Sequence, residues 1–376
     1  MSKIKILHVL HSVGGVDVSL RLIVNNLDPN SFESIIVKGQ VDTDEPFYDA
    51  NNSPIKTYNS SIIRAIHPLK DLKAIKNLQK IVKSEEPDLI HAHSAKGGIL
   101  GKSVGHFEKT PVLHTPQAYS FLSADSKIKK SVFLTIEKGF AKLNNKILAS
   151  STSERNRAVN EVGYPTERAL LFNNSIKPIK KINDLNIPKT WPDQYICSVG
   201  RPSYQKNIEM MVKVLAKVKN EKPDIHLVLM GVGFHSPNLE AVKTLIQELN
   251  LSENISLLEW TEREDIFHII KKSQLYISTA RYEGLPYSII EALALQKACV
   301  VTDADGNRDL IQDNHNGFVI FDENTTGFSE KINLLLNDVH LKEKFENNAG
   351  ALFDKKFNIN NTIQSLEKIY LNNLKK

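Results

Sequence analysis

Alternation is the feature that most limits how this chain can fold. Short β-branched and apolar runs, each closed by Gly, Ser, His or Thr, alternate with longer stretches of helical spacing. In the first half KIKILHVLH, ESIIVKG, DLIHAH, PVLHT and NKILAS read as strands. In the second half QYICSVG, IHLVLMG, ISLLEW, LYIST and ACVVTD do the same. Between them lie helical patterns. In HPLKDLKAIKNLQKIVKSEEP the residues Leu69, Leu72, Ile75, Leu78 and Ile81–Val82 recur at helical spacing before Pro87 stops the helix. NIEMMVKVLAKVKN is a second such helix. Strands alternating with helices imply parallel sheets covered on both faces, an α/β, doubly wound architecture.

The chain has 376 residues, too many for one ordinary core and suited to two domains. Residues 177–192, KPIKKINDLNIPKTWP, hold three prolines and no sustained periodicity, so the interdomain linker is expected there. The expected division is 1–178, 190–355 and a last segment, 356–376. Two doubly wound domains joined by a linker make a cleft, and ligands of such sheets bind beyond the C-terminal strand ends.

An apolar share of 41% and a charged share of 24% exclude a disordered or low-complexity chain. No stretch approaches the roughly eighteen apolar residues of a spanning helix. MSKIKILHVLHSVGG reads as a first strand entering a glycine turn, because His8 and His11 interrupt its apolar run and no small-residue cleavage site follows. Cys197 and Cys299 both sit in strand-like runs. Two buried thiols fit a reducing, cytoplasmic compartment and make neither a disulfide framework nor a zinc site. A net charge of +5 fits an anionic substrate or an anionic membrane surface and falls short of a nucleic-acid binder.

Three segments carry chemistry. In STARYEGLPYSIIEALAL, residues 278–295, a strand ends, a loop brings Glu283 and Gly284, Pro286 suits the first turn of a helix, and Glu291 follows inside it. The N–H groups of Leu285, Tyr287 and Ser288 would leave the helix start toward an anion such as a diphosphate. Glu283 and Glu291 would flank that anion and accept hydrogen bonds from sugar hydroxyls. In VGRPSYQKN, residues 199–207, Arg201 and Lys206 leave a strand end, where a fork donor and a point charge neutralise a diphosphate and stabilise its departure without a metal. At the N-terminus the first strand delivers Gly14 and Gly15, which permit positive φ and close approach to a phosphate or sugar. This is not GxGxxG, so a nicotinamide site is poorly supported, and the GVG at 231–233 is a lone GxG.

Gly14–Gly15, DLIHAHSAKGG, HTPQAYSF, ILASSTSERN, VGRPSYQKN, LMGVG, EGLPYSIIEALA and GNRDL occur in the order seen in the retaining glycosyltransferases of family 4, which this chain resembles over almost its whole length. The resemblance implies a GT-B fold, two Rossmann-like domains facing across a cleft, with the last helix crossing back to the first domain. It implies that Arg201 and Lys206 hold the nucleoside diphosphate, that Glu291 binds the ribose and Glu283 the donor sugar. Gly15 then lies under the diphosphate or sugar. Glu283, Gln117, Arg201 and Lys206 become the candidate catalytic set. HAHSAKGG with HTPQAYSF is most similar to bacterial enzymes that assemble capsule, exopolysaccharide or O-antigen on lipid carriers. One departure stands out: where the family has Thr-x-His, this chain has Thr115-Pro116-Gln117. Gln can hydrogen-bond a hydroxyl or phosphate but cannot take up a proton. His114 could partly substitute, although its strand position suits a buried structural histidine.

Asp303 and Asp305 form an Asp-x-Asp, a pattern that presents a divalent metal in GT-A enzymes and is also common in turns; no metal and no cofactor is expected. Residues 126–146 carry six lysines against one glutamate, with Ile128, Val132, Phe133, Ile136, Phe140 and Leu143 on one helical face. Such a helix can lie on an anionic leaflet through Lys127, Lys129, Lys130, Lys138 and Lys142, or pack its apolar face on its own sheet. The expectation is therefore a hexosyl- or N-acetylhexosaminyl-type transferase. It would move a sugar from a nucleotide sugar, a UDP-sugar first among them, to a lipid-linked glycan. It would be peripheral on the inner face of the plasma membrane, with His93, Lys96 and Tyr119 toward the acceptor and no nucleic-acid partner. A sugar-nucleotide epimerase of the same fold and a nucleotide-sugar binder that has lost catalysis are the rival readings.

Overall fold

The first apolar run becomes β1 (Ile4–Val9), followed by α1 (Gly15–Val24), β2 (Phe32–Gly39), β3 (Thr57–Ser60), α2 (Pro68–Glu85) and β4 (Leu89–His93). Next come α3 (Ser94–Glu108), β5 (Val112–Thr115), α4 (Lys127–Ala141), β6 (Lys146–Ala149), α5 (Thr152–Arg157) and β7 (Ala169–Leu171). The computed structural model describes residues 3–40, 42–63, 67–124, 126–233 and 236–374. Met1 and Ser2 of the N-terminal stretch, and Lys375 and Lys376 of the last segment, lie outside the described residues. These strands make a parallel seven-stranded sheet in the order β3-β2-β1-β4-β5-β6-β7.

Period-two alternation sorts β1 between the two faces. Leu7 and Val9 pack with Ala74, Leu78 and Val82 of α2 and Leu100 of α3. Ile6 faces the other way, onto Ile23 of α1. Local chemistry sets the helix ends. The His67 side chain caps α2 and Pro68 occupies its first turn, while Glu86 turns left-handed just before Pro87. Ser126 and Ser151 cap α4 and α5 through their hydroxyls.

The second unit runs β8 (Ile196–Val199), α6 (Ile208–Glu221), β9 (Leu227–Met230), α7 (Leu239–Glu248), β10 (Ile255–Leu258), α8 (Arg263–Lys272) and β11 (Tyr276–Ser278). It continues through α9 (Tyr287–Ala294), β12 (Cys299–Thr302), α10 (Asp305–Leu310), β13 (Gly317–Ile320), α11 (Thr325–Asn337) and α12 (Val339–Lys356). Its parallel sheet has six strands in the order β10-β9-β8-β11-β12-β13. A last helix, α13 (Ile359–Leu371), closes the chain.

The chain divides into Met1–Lys177 with Ile359–Lys376, and Pro178–Asn358. α13 thus belongs to the first unit. Ile359 N donates to Ile176 O at 2.9 Å, Asp28 N donates to Glu367 at 2.8 Å, and Ile363, Leu366 and Tyr370 pack on the sheet face that carries Ile6. The chain passes from the second unit to the first at Asn358–Ile359, just after α12 ends at Lys356. Residues 178–192 are part of the second unit and not a free linker. Asn186 N donates to Asp265 Oδ1 at 2.8 Å and Trp191 is buried. Their prolines explain the lack of regular structure, since each removes a donor and fixes φ. Among the described residues no helix is long and apolar enough to cross a membrane.

Candidate functional site

In the second sheet the strand order reverses between β8 and β11, which lie side by side while their loops lead away to opposite flanks. Ligands of doubly wound sheets bind at such a point. The loop after β8 carries Arg201 and Lys206, and the loop after β11 carries Glu283. Lys206 Nζ lies 2.7 Å from Glu283 Oε1. Gln205 Nε2 donates to Tyr282 O at 3.3 Å and reaches Glu283 Oε2 at 3.4 Å. The loop backbones are stitched as well: Arg281 N donates to Gln205 O at 2.8 Å and Thr279 Oγ1 to Lys206 O at 3.1 Å. Arg201 is exposed and has no ion pair or hydrogen bond among the described residues. The loop therefore presents one free guanidinium beside a half-buried ammonium that a carboxylate already orients.

Pro286 is the N-cap of α9, with φ −70° and ψ 124°, and the helix begins only at Tyr287, one residue later than the sequence suggests. Leu285 and Tyr287, on either side of Pro286, both have interaction partners in the structure. Glu291, inside α9, is buried and accepts from Arg263 Nη2 of α8 at 2.8 Å. Burial raises its carboxyl above the usual range while Arg263 pulls the other way. Neither glutamate is a helix cap or a solvated side chain. Arg263 has no signal in the sequence beyond its place at the start of an acidic helix.

Gly306 locks this region together. A Cβ there would meet Gly284 O at 2.4 Å, so only glycine lets α10 press against the Glu283–Gly284 loop. The Asp-x-Asp is held by the same helix: Arg308 Nε lies 2.6 Å from Asp303 and Nη1 2.7 Å from Asp305. One guanidinium engages both carboxylates.

In the first unit, Gly14 has φ +61° and ψ −132° at the start of α1, a conformation open essentially to glycine, with nothing within 4 Å of where a Cβ would sit. Gly15 follows as the first residue of the helix. The loop after β5 holds two left-handed residues in succession, Gln117 at φ 53° and Ala118 at φ 76°. Each costs of order 1–3 kcal/mol and persists only where its surroundings impose it. Ala118 N donates to Glu154 Oε1 at 2.7 Å, and the same carboxylate accepts from Ser150 N at 2.7 Å and Ser150 Oγ at 2.9 Å. Both polar atoms of the Gln117 side chain are shielded from solvent and unpaired within the protein.

The three residues expected toward an acceptor are all buried. His93 is fully buried and shares a hydrogen bond with His8 at 3.1 Å. Lys96 donates to Asp71 at 2.8 Å. Tyr119 stacks on Phe121 at 5.1 Å between ring centres. As placed, His93 ties β4 to β1, Lys96 ties α3 to α2, and Tyr119 packs in the core beside Phe121. His114 is also buried, bonded to Ser94 O at 3.0 Å, as a structural histidine would be. Burial holds His8, His91 and His114 far below their ordinary value and His93 down to about 3. The ring nitrogens of His8, His91 and His93 lie within 4.8 Å of one another, close enough to suggest a metal. Yet His91 commits both of its own, to Tyr370 Oη and Thr115 Oγ1, at 2.8 Å each.

The basic helix α4 packs differently from its sequence pattern. Ile128 and Val132, expected on the apolar face, are 79% and 50% exposed. Phe133, Ile136, Phe140 and Leu143 of the expected face are half-buried, and the buried positions are Glu137, 3.0 Å from Lys102 of α3, and Ala141. Lys142 lies just past the helix as its C-cap. On α2, Leu69 and Leu72 are likewise 75% and 57% exposed, while Asp71 turns inward to Lys96 of α3. α3 thus draws in the acids of both neighbours. The outward faces keep Lys70, Lys73 and Lys76 on α2 and Lys127, Lys129, Lys130 and Lys138 on α4, beside exposed apolar side chains.

Residues 13–178 match the Glycosyltransferase Family 4 model, and residues 180–351 that of Glycosyl transferases group 1. UDP-Gal:alpha-D-GlcNAc-diphosphoundecaprenol alpha-1,3-galactosyltransferase of Escherichia coli is 26% identical over 322 residues, 83% of this chain and 82% of the relative. Sucrose-phosphate synthase from Thermosynechococcus elongatus superposes with a TM-score of 0.81 at 16% identity, covering 99% of each chain. Anabaena Alr3699/HepE in complex with UDP-glucose gives 0.76 at 19% identity, over 97% of this chain and 99% of that one. These neighbours share the two parallel-sheet, Rossmann-like domains of the GT-B fold.

Proposed function

Because the chain belongs to the glycosyltransferases, with a Family 4 domain followed by a group 1 domain, we propose that it transfers a hexosyl or N-acetylhexosaminyl group, with retention, from a UDP-sugar to a hydroxyl of a lipid-linked glycan in cell-surface polysaccharide synthesis. The observation that carries this reading is the Lys206–Glu283 pair bridging the two loops at the β8–β11 reversal. A cation and a carboxylate side by side suit a ligand that is anionic at one end and rich in hydroxyls at the other. Arg201 and Lys206 hold the diphosphate and stabilise its departure, Glu291 takes the ribose, and Glu283 with Gly284 takes the sugar. Gly14, Gly15 and Gln117 also serve the donor. The uridine base is supported by HepE, solved with UDP-glucose, and the lipid-linked acceptor by the name of the E. coli relative.

The pairing of Asp303 and Asp305 with Arg308 supports a reaction that needs no metal. The exposed leucines and lysines of α2, with those of α4, support peripheral attachment to an anionic inner leaflet.

The test is release of UDP from UDP-galactose, UDP-glucose and their N-acetylamino counterparts, in EDTA, with and without an undecaprenyl-diphosphate-linked sugar. Transfer to the lipid with the anomeric configuration kept is the expected outcome. Conversion of the donor with no acceptor would instead mark an epimerase, binding without turnover a degenerate protein, and rescue by manganese a metal enzyme.

A further inference from the structure

The loop after β5 is left-handed at Gln117 and Ala118, and among the described residues the partner of that backbone is a carboxylate from another element. Glu154 is 3% exposed. One of its oxygens takes the Ala118 N–H, and the other takes the N–H and the hydroxyl of Ser150 at the end of β6. Its own N–H is capped by Ser151 Oγ at 3.1 Å, so the residue is fixed in the first turn of α5. Glu154 therefore joins the loop after β5 to the loop after β6 at the C-terminal edge of the sheet. What it holds is a backbone that sets the direction of Gln117, whose amide nitrogen and oxygen have no partner within the protein. Buried polar atoms left unpaired are rare, and a donor and an acceptor on one rigid amide match a sugar hydroxyl, which can accept and donate at once.

We propose that Glu154 is a positioning residue for the transfer reaction, acting through Gln117: its carboxylate imposes the left-handed turn that presents the Gln117 amide to the sugar hydroxyls of the donor. The inference rests on the donor-side role given to Gln117 above. It assigns Glu154 no contact with substrate. Its action is geometric, since a side chain displaced by a fraction of an ångström loses most of its value in a transition state.

Four full-length proteins test it: wild type, Glu154→Gln, Gln117→Ala and the double variant, each assayed for UDP release from UDP-galactose and for affinity to UDP and UDP-galactose. Glu154→Gln is expected to lower kcat by about ten- to a hundredfold, with UDP affinity unchanged. In the Gln117→Ala background the same change is expected to lower kcat no further. An equal fall in both backgrounds would overturn the coupling while leaving the donor-side role of Gln117 intact. A neutral Gln117→Ala would overturn that role itself, and with it the inference. If wild type binds both ligands but releases nothing, the transfer reading fails. The coupling is then read from the gain in affinity that the sugar adds over UDP, and loss of that gain in each single variant supports it. Should Glu154→Gln unfold, Ala118→Gly in the same background relieves the left-handed cost and restores the fold; if it restores kcat without the carboxylate, Glu154 serves only stability and the proposal falls.

Discussion

The Lys206 ammonium lies 2.7 Å from the Glu283 carboxylate, so the loops after β8 and β11 are joined by an ion pair at the point where the sheet reverses. The carboxylate side chain is 8% exposed and the ammonium 23%, which shields the pair from full screening by water. This makes the two cations of the loop unequal.

Arg201→Ala removes an exposed guanidinium and is expected to weaken UDP by about 1.5–3 kcal/mol. Lys206→Ala is expected to cost more, because it also leaves Glu283 unpaired next to a dianion. Adding Glu283→Gln to Lys206→Ala then recovers part of the loss. Calorimetric titration with UDP over wild type and these three variants checks this. Equal losses for Arg201 and Lys206, with no recovery in the double variant, would show that the diphosphate binds elsewhere.

Glu291 and Glu283 differ in what they face. Glu291 sits inside α9 against Arg263, and Glu283 sits in the loop against Lys206. Glu291→Ala is expected to weaken UDP and UDP-galactose alike by about 1–3 kcal/mol, the cost of a lost charged hydrogen bond. Glu283→Ala is expected to spare UDP and to erase the extra affinity contributed by the sugar. Arg263→Ala leaves Glu291 buried and unpaired, so it should act like Glu291→Ala on binding while lowering the melting temperature further. Parallel effects of the two glutamates on both ligands would refute the division.

Most strands could be read in the sequence because they are β-branched runs ended by small or polar residues. β3, β7 and β13 were not read, and length alone is not the reason, since β11 has three residues and β8 four. The loops of the second unit were legible for the same reason as its strands, since Arg201, Lys206 and Glu283 all follow a clear strand end. Their pairing was not. Lys206 and Glu283 are 77 positions apart and Arg263 and Glu291 are 28 apart, and only the sheet order brings them together. The face expected of α4 is buried only in part, since Phe133, Ile136, Phe140 and Leu143 are half-buried while Ile128 and Val132 are exposed. Periodicity treats Glu137 as a surface residue, but Lys102 compensates its charge from α3, so the helix can turn that side inward and leave Ile128 and Val132 outside.

The exposed apolar side chains bear on the membrane. Ile128 and Val132 on α4, and Leu69 and Leu72 on α2, stand among lysines whose acidic neighbours Asp71 and Glu137 point inward. Purified protein is expected to sediment with vesicles rich in anionic lipid, each lysine near the surface contributing about 1 kcal/mol, and to detach as salt rises. Lys127, Lys130 and Lys138 changed together to Gln should weaken binding without altering UDP affinity. Leu69→Ser with Ile128→Ser should weaken it even at low salt, where charge alone is strongest. Indifference of wild type to anionic vesicles at low salt would reduce both helices to ordinary surface elements.

The buried histidines set the acid limit of the first unit. His8, His91 and His114 are held far below their ordinary value by burial, and His93 is held at about 3. In the unfolded chain each takes up a proton near 6.5, and in the folded chain it does not until the pH is much lower. The unfolded state therefore binds more protons in the window between about 3 and 6.5. Stability is whole above that window and falls as pH drops into it, by about 1.4 kcal/mol per pH unit for each histidine once the unfolded form is fully protonated. The loss should reach α13 early, since His91 is bonded to Tyr370 of that helix and a charged imidazole could not stay buried there. Calorimetric melting of the full chain between pH 7 and pH 5 is expected to show a steep fall in the melting temperature. Replacing His8 by Asn should reduce the slope by about one proton, because the His8–His93 pair then has one titrating member fewer. A melting temperature that stays level over those two pH units would mean that the cluster takes up protons without unfolding, and that water reaches these rings in the folded protein.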